Sequence, residues 1–206
     1  MTEKMFDRIK QYLRTSFPYS KKTFLFLALS VMVLAAVFGF LWEQLYGVIW
    51  PDGKAHHGTS FGPWIQLYGF GALAVFLLCR GLRKKPLAAI LSGTLICVAA
   101  EYMTAFCMDR FLHWRAWDYR EGPFRFGNVQ GYVALIPALM IAAGIAAFFY
   151  VLIPALEKFC RKVGEDRALK IISVPAALFL LDVLYNDILA GPLGLYSASM
   201  FYNTPR

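Results

Sequence analysis

Charge is scarce in this chain. Aspartate and glutamate together number 13 in 206 residues, and all four charged types make up 17%, against roughly 25% in soluble domains. The four cysteines, Cys79, Cys97, Cys107 and Cys160, form no CxxC clip and suggest no disulfide framework. The three histidines, His56, His57 and His113, lack an HExxH-like spacing that would set two ligands on one helix face, so no metal site is expected. A GxxxxGK(S/T) phosphate loop is missing, which removes ATP hydrolysis from this chain. No low-complexity tract or internal repeat is visible, and no residue pattern names a cofactor.

What the chain has is apolar length. Hydrophobic residues make up 59%, with a mean hydropathy of +0.52, more than a soluble domain of this size can bury. Five stretches are long enough to cross about 30 Å of hydrocarbon: 23–42, 62–79, 86–108, 132–156 and 171–189. The expectation is an all-α membrane protein with five transmembrane helices. Residues 1–22 form an amphipathic amino-terminal segment, 23–189 the membrane domain, and 190–206 a tail. The first stretch exceeds the about 7–15 apolar residues of a signal peptide and no small-residue cleavage site follows it, so it is read as a span.

Basic residues orient the chain. Fifteen lysines and arginines fall on the side of the amino terminus and the second and fourth connections, and six on the other side. This asymmetry predicts a cytoplasmic amino terminus and an external carboxyl terminus in a plasma (inner) membrane. The formal net charge of +8 comes from short clusters beside apolar stretches, so lipid headgroups rather than nucleic acid are the expected polyanionic partner.

Four acidic residues lie inside apolar stretches: Glu43, Glu101, Asp182 and Asp187. A carboxylate facing lipid is costly, so such residues line a bundle interior or a cavity, or join helices. At 1.5 Å per residue, Glu43, Glu101 and Asp187 fall in the outer half, level with Gln66 and Tyr68, while Asp182 is deeper. The external connection, residues 109–130, is rich in aromatics and arginines. Gly122, Pro123 and Gly127 supply turns that would fold it back as a polar lid carrying Asp109, Arg115, Asp118 and Asn128.

Three ordered pieces carry a family resemblance: Gly39-Phe40-Leu41-Trp42-Glu43, then Gly62-Pro63-Trp64-Ile65-Gln66-Leu67-Tyr68-Gly69-Phe70-Gly71, then Glu101-Tyr102-Met103-Thr104 through Trp117-Asp118-Tyr119 to Asn128. Together, between Gly39 and Leu156, they resemble the putative ABC-transporter type IV (CmpB-like) family. Asp109 matches a second acidic position of that pattern, and Ala116 replaces an aromatic. The resemblance implies a transporter, and with no nucleotide loop here any ATPase would be a separate partner subunit.

Two functions follow as expectations. The first is small-ligand binding or transport in an outward-facing, carboxylate-lined pocket formed by Glu43, Gln66, Tyr68, Glu101, Asp109, Arg115, Asp118 and Asn128, with a small-molecule or cationic ligand. The second is a membrane enzyme acting on a lipid or lipid-linked substrate, with Glu101 or Asp109 as general base, His113 as proton carrier, and Arg115 and Arg120 holding a phosphate. An accessory subunit that only holds a membrane partner is a third.

Overall fold

The computed structural model describes residues 19–49, 60–113, 115, 117–190, 193, 195, 197 and 198. The amphipathic segment expected over 1–18, His56, His57, Trp114, Ala116 and most of the tail lie outside the described residues.

Among the described residues, five helical rods make up an all-α bundle. They are α1 (Lys21–Ile49), α2 (Gln66–Cys79, ending in a 3₁₀ turn Arg80–Leu82), α3 (Pro86–Leu112), α4 (Leu135–Val163) and α5 (Glu165–Leu189). By length and composition α1, α3, α4 and α5 are each able to cross a membrane; the second apolar helix, Gln66–Leu82, is shorter. The expected start of this second stretch at Gly62 moves to Gln66, because residues 61–64 are held in a non-helical path by α5. The fourth stretch runs on to Val163 rather than ending near Leu156.

α1 is the central rod. It packs on α2, α4 and α5, while α3 lies against α2 and α4. The buried centre joins Leu27 and Val31 of α1 with Val75 and Phe76 of α2, Phe149 and Ile153 of α4, and Phe179 of α5. Lipid tails are as apolar as these side chains, so association rests on close packing, which small residues permit. A Cβ on Gly69 would sit 2.9 Å from the Met32 carbonyl, and one on Gly93 2.9 Å from the Ile145 side chain.

Prolines shape the long helices. α4 widens into a π turn over Phe148–Leu152, immediately before Pro154. Proline offers no N–H, and its ring crowds the carbonyl four residues back, here Tyr150; the wider turn accommodates both. Pro175 lies within α5, and a second π turn spans Leu184–Leu189. Gly164, at φ 87°, alone separates α4 from α5, a backbone geometry that disfavours any residue with a Cβ.

The tightest approach sets a test. A Cβ on Gly39 would lie 2.3 Å from Cγ of Tyr68, whereas one on Gly71 would meet nothing within 4 Å. Gly39→Ala is therefore expected to destabilise the protein by about 1–3 kcal/mol through overpacking, and Gly71→Ala, which meets no clash and gains helix propensity, to be neutral or stabilising by up to about 1 kcal/mol. Denaturant unfolding in a bilayer mimetic compares the two, and equal effects would remove the proposed α1–α2 constraint.

Candidate functional site

The polar chemistry gathers at one end of the bundle, where α1 ends, α2 begins and α3 ends. Gly39 and Glu43 are one turn apart on α1. The bare backbone at Gly39 receives the Tyr68 ring, whose hydroxyl donates to Glu43 Oε1 at 2.9 Å. From the other side, Tyr119 of the α3–α4 connection donates to Glu101 Oε1 at 2.9 Å. Burial, then the nearby Glu101 charge, drive the Tyr119 phenol far above its ordinary pKa, with Tyr68 and Glu43 adding to the effect. The hydroxyl thus stays a donor at any physiological pH. Two carboxylates and two phenols form one cluster joining α1, α2, α3 and the connection.

Two features of this cluster bear on its chemistry. Among the described residues, Glu101 Oε2 is buried with no hydrogen-bond partner, as is the Thr94 hydroxyl two turns earlier on α3. Among the described residues, neither Glu43 nor Glu101 belongs to an ion pair. A carboxylate removed from water without a countercharge is among the costliest groups a protein can hold.

Above the cluster the connection folds into a compact lid. Arg115 is its hub, donating to Asp109 Oδ2 at 2.6 Å, to Asp118 Oδ2 at 3.2 Å and to the Gln130 carbonyl at 3.3 Å. Its guanidinium also lies 5.0 Å from the centre of the Tyr132 ring, a cation–π distance. Tyr132 donates to Asp109 at 2.6 Å, and Trp117 donates through Nε1 to the Tyr132 carbonyl at 2.8 Å. Asp118 accepts from the Arg120 guanidinium and backbone N–H. These bonds to Arg120, above all to its side chain, hold the Asp118 carboxyl below the usual carboxylate range. The Tyr119 N–H donates to Gly131 O at 2.9 Å, and this fixes the side chain over Glu101. Gly131 sits at φ 79°, where a Cβ would lie 2.3 Å from Asp118 Oδ1.

A second cluster lies on α5. Asp182 accepts from the backbone N–H groups of Phe61 (3.2 Å) and Gly62 (2.8 Å), from Trp64 Nε1 (2.7 Å) and from Asn186 Nδ2 (2.5 Å). It holds the segment that leads into α2. Gln66 belongs to this group, donating to Ser60 (2.6 Å) and Asp187 (3.0 Å).

A family model described as "Putative ABC-transporter type IV" matches residues 30–186. The chain belongs to this family. No curated protein and no solved structure matches the chain. The match reaches beyond the stretch from Gly39 to Leu156 on which the resemblance was noted, and it takes in Asp182 of α5.

Within this family member, the residues singled out by sequence divide into three groups. Glu43, Tyr68 and Glu101 come together. Asp109, Arg115 and Asp118 come together in the lid, where Asn128 caps a turn by donating to the Arg125 carbonyl and accepting from the Gly131 N–H. Gln66 sits apart from Glu43 and Glu101. Arg115 and Arg120 are engaged by Asp109 and Asp118, and exposed His113 closes α3 in a left-handed conformation at φ 50°. One shallow apolar hollow, lined by Met103, Thr104, Cys107, Met108, Phe111 and Leu112 of α3, does not include the carboxylates. Tyr119 and Tyr132 were missed as site residues. For Tyr119 the signal was present in the Trp117-Asp118-Tyr119 piece; for Tyr132 no pattern distinguished it from an interfacial aromatic.

The lid generates a pH prediction. Because the folded-state pKa of Asp118 is lowered, its contribution is complete above the unfolded carboxylate value of about 3.9 and is lost as pH falls through the lower folded value. Hydrogen exchange at the Tyr119 amide, corrected for intrinsic rate, should stay slow at pH 5–7 and accelerate in acid. Asp118→Ala should show the fast rate already at neutral pH, and unchanged protection in that variant would separate Asp118 from the lid.

Proposed function

We propose that this protein is a five-span membrane protein that binds a small cationic ligand between Glu43 and Glu101, beneath the 113–134 lid, as a binding or transport site. The amino terminus is cytoplasmic, α2 counts as the short second span, and the carboxylates face outward. The asymmetry of basic residues supports that orientation.

One observation carries the reading. Glu43 and Glu101 share an interior cluster whose described partners are phenols, and one Glu101 oxygen has no partner. Phenols donate hydrogen bonds but bring no positive charge. A cation from outside would supply it, whether an alkali ion or an organic ammonium. Among the described residues no group of three or more His, Cys, Asp or Glu is placed to hold a metal ion, so a singly charged ligand fits the donors better than a transition metal. Tyr119 rides on the lid, so movement of the lid would break its bond to Glu101 and open the carboxylate. Coupling to ATP hydrolysis would require a partner subunit.

Thermal unfolding in nanodiscs against sodium, potassium, tetramethylammonium and choline chlorides, at constant ionic strength, tests the proposal. At least one salt should give a saturable stabilisation, worth about 2.7 kcal/mol at a hundredfold excess over its dissociation constant. Glu43→Gln and Glu101→Gln should abolish it. No saturable response from the parent to any of the four would contradict the cation reading.

A further inference from the structure

The end of the bundle opposite the carboxylates is closed by a polar network that the proposed function leaves unused. Glu157 of α4 accepts from the Tyr19 hydroxyl, on the residues leading into α1, and from Arg83, in the α2–α3 connection, at 2.5 Å. Arg83 also donates to the Tyr19 oxygen at 3.3 Å, and its carbonyl accepts from Tyr150 of α4 at 3.0 Å. Next to this triad, Glu165 at the start of α5 accepts from Ser20 (2.6 Å), just before the first rod, and from Thr23 (2.9 Å) on it, and Lys22 pairs with Asp166 at 2.6 Å. All five rods or their connections meet here. The Arg83 and Glu157 side chains are only 30% and 13% exposed.

We infer that the Tyr19–Arg83–Glu157 network, with the adjoining bonds to Glu165, is a releasable latch that shuts this end of the bundle and leaves the carboxylate cluster reachable only from the lid side. The inference rests on the reading of Glu43 and Glu101 as a ligand site. Three properties set the latch apart from fixed packing. Its bonds are polar and join elements distant in sequence, and such networks have discrete made and broken states, whereas packed cores deform little. Tyr19 donates at any physiological pH, since burial and then its bond to Glu157 push its phenol up to about 12. Both rods that carry its acids have irregular backbone between latch and site: the Phe148–Leu152 π turn with Pro154 in α4, and Pro175 in α5. Such places let one part of a helix swing against the other. Release of the latch would then open a cytoplasmic path while the lid remained shut.

The chain carries its own reporter. Cys160 lies on α4 beside the latch, 2% exposed, with its sulfur 3.7 Å from the Thr23 hydroxyl. N-ethylmaleimide labelling in nanodiscs, followed peptide by peptide, compares Cys160 with Cys97, which lies within α3. The full chain needs no cysteine removed. In Glu157→Gln and in Arg83→Gln, Cys160 should react about tenfold faster than in the parent, as expected when a local opening becomes easier by one charged contact, while Cys97 keeps its rate. The double exchange Arg83→Glu with Glu157→Arg should return Cys160 to slow labelling, and this variant decides the matter if either single change fails to fold. Unchanged Cys160 labelling in folded single variants, equal acceleration of Cys97, or an exchange that folds yet labels fast would overturn the latch. No cation is added, so loss of the latch would leave the carboxylate reading standing, and a failed cation titration would not alter the labelling result.

Discussion

The close approach of Tyr68 to the bare backbone of Gly39 is the constraint on which the polar end of this protein depends. It brings α2 against α1 with no intervening side chain and places a phenol hydroxyl within bonding distance of Glu43, one turn along. Asp182 reinforces the same geometry from α5 by holding the 61–64 segment with two backbone N–H groups and the Trp64 indole. A carboxylate near the start of α2 also faces the positive end of that helix dipole. Here an acidic residue in an apolar helix orders a neighbouring segment, whereas Glu43 and Glu101 each accept from a phenol.

That division follows from partners. Asp182 is surrounded by donors, and Asp109 and Asp118 have arginines. Among the described residues, Glu43 and Glu101 accept from one phenol each. Donors and arginines compensate a desolvated charge, and a single phenol does so only in part. The lid extends this arrangement, because Arg115 satisfies Asp109 at the end of α3 and Asp118 within the loop, while Tyr119 reaches down to Glu101. The charges of Asp109, Arg115 and Asp118 therefore stabilise the fold of the connection, and among the described residues the Tyr119 hydroxyl joins it to Glu101.

Much of this was legible in the sequence. Apolar length identifies the rods because membrane crossing is set by length and hydropathy, and the depth of Glu43, Tyr68 and Glu101 follows from helical rise alone. Depth does not give rotation about the helix axis, and Gln66, expected level with Glu43, bonds to Ser60 and Asp187. The role of Asp182 was hidden because two of its partners are the backbone N–H groups of Phe61 and Gly62, which no side-chain pattern reports. Tyr119 as the partner of Glu101 depends on a loop fold fixed by Gly131 and Arg115, residues whose joint effect appears only in three dimensions.

The central claim, that Glu43 and Glu101 share one space lacking a countercharge among the described residues, is tested most directly by the difference in unfolding free energy between Glu43→Lys and Glu43→Met in a bilayer mimetic. The two side chains are similar in length and differ in charge, and both lose the bond from Tyr68. If Glu101 stands uncompensated beside position 43, lysine supplies the missing cation and its variant should be the more stable, by roughly 1 kcal/mol or more. If methionine gives the more stable protein, the lysine has been buried without a carboxylate to meet it, and the account of a shared site fails.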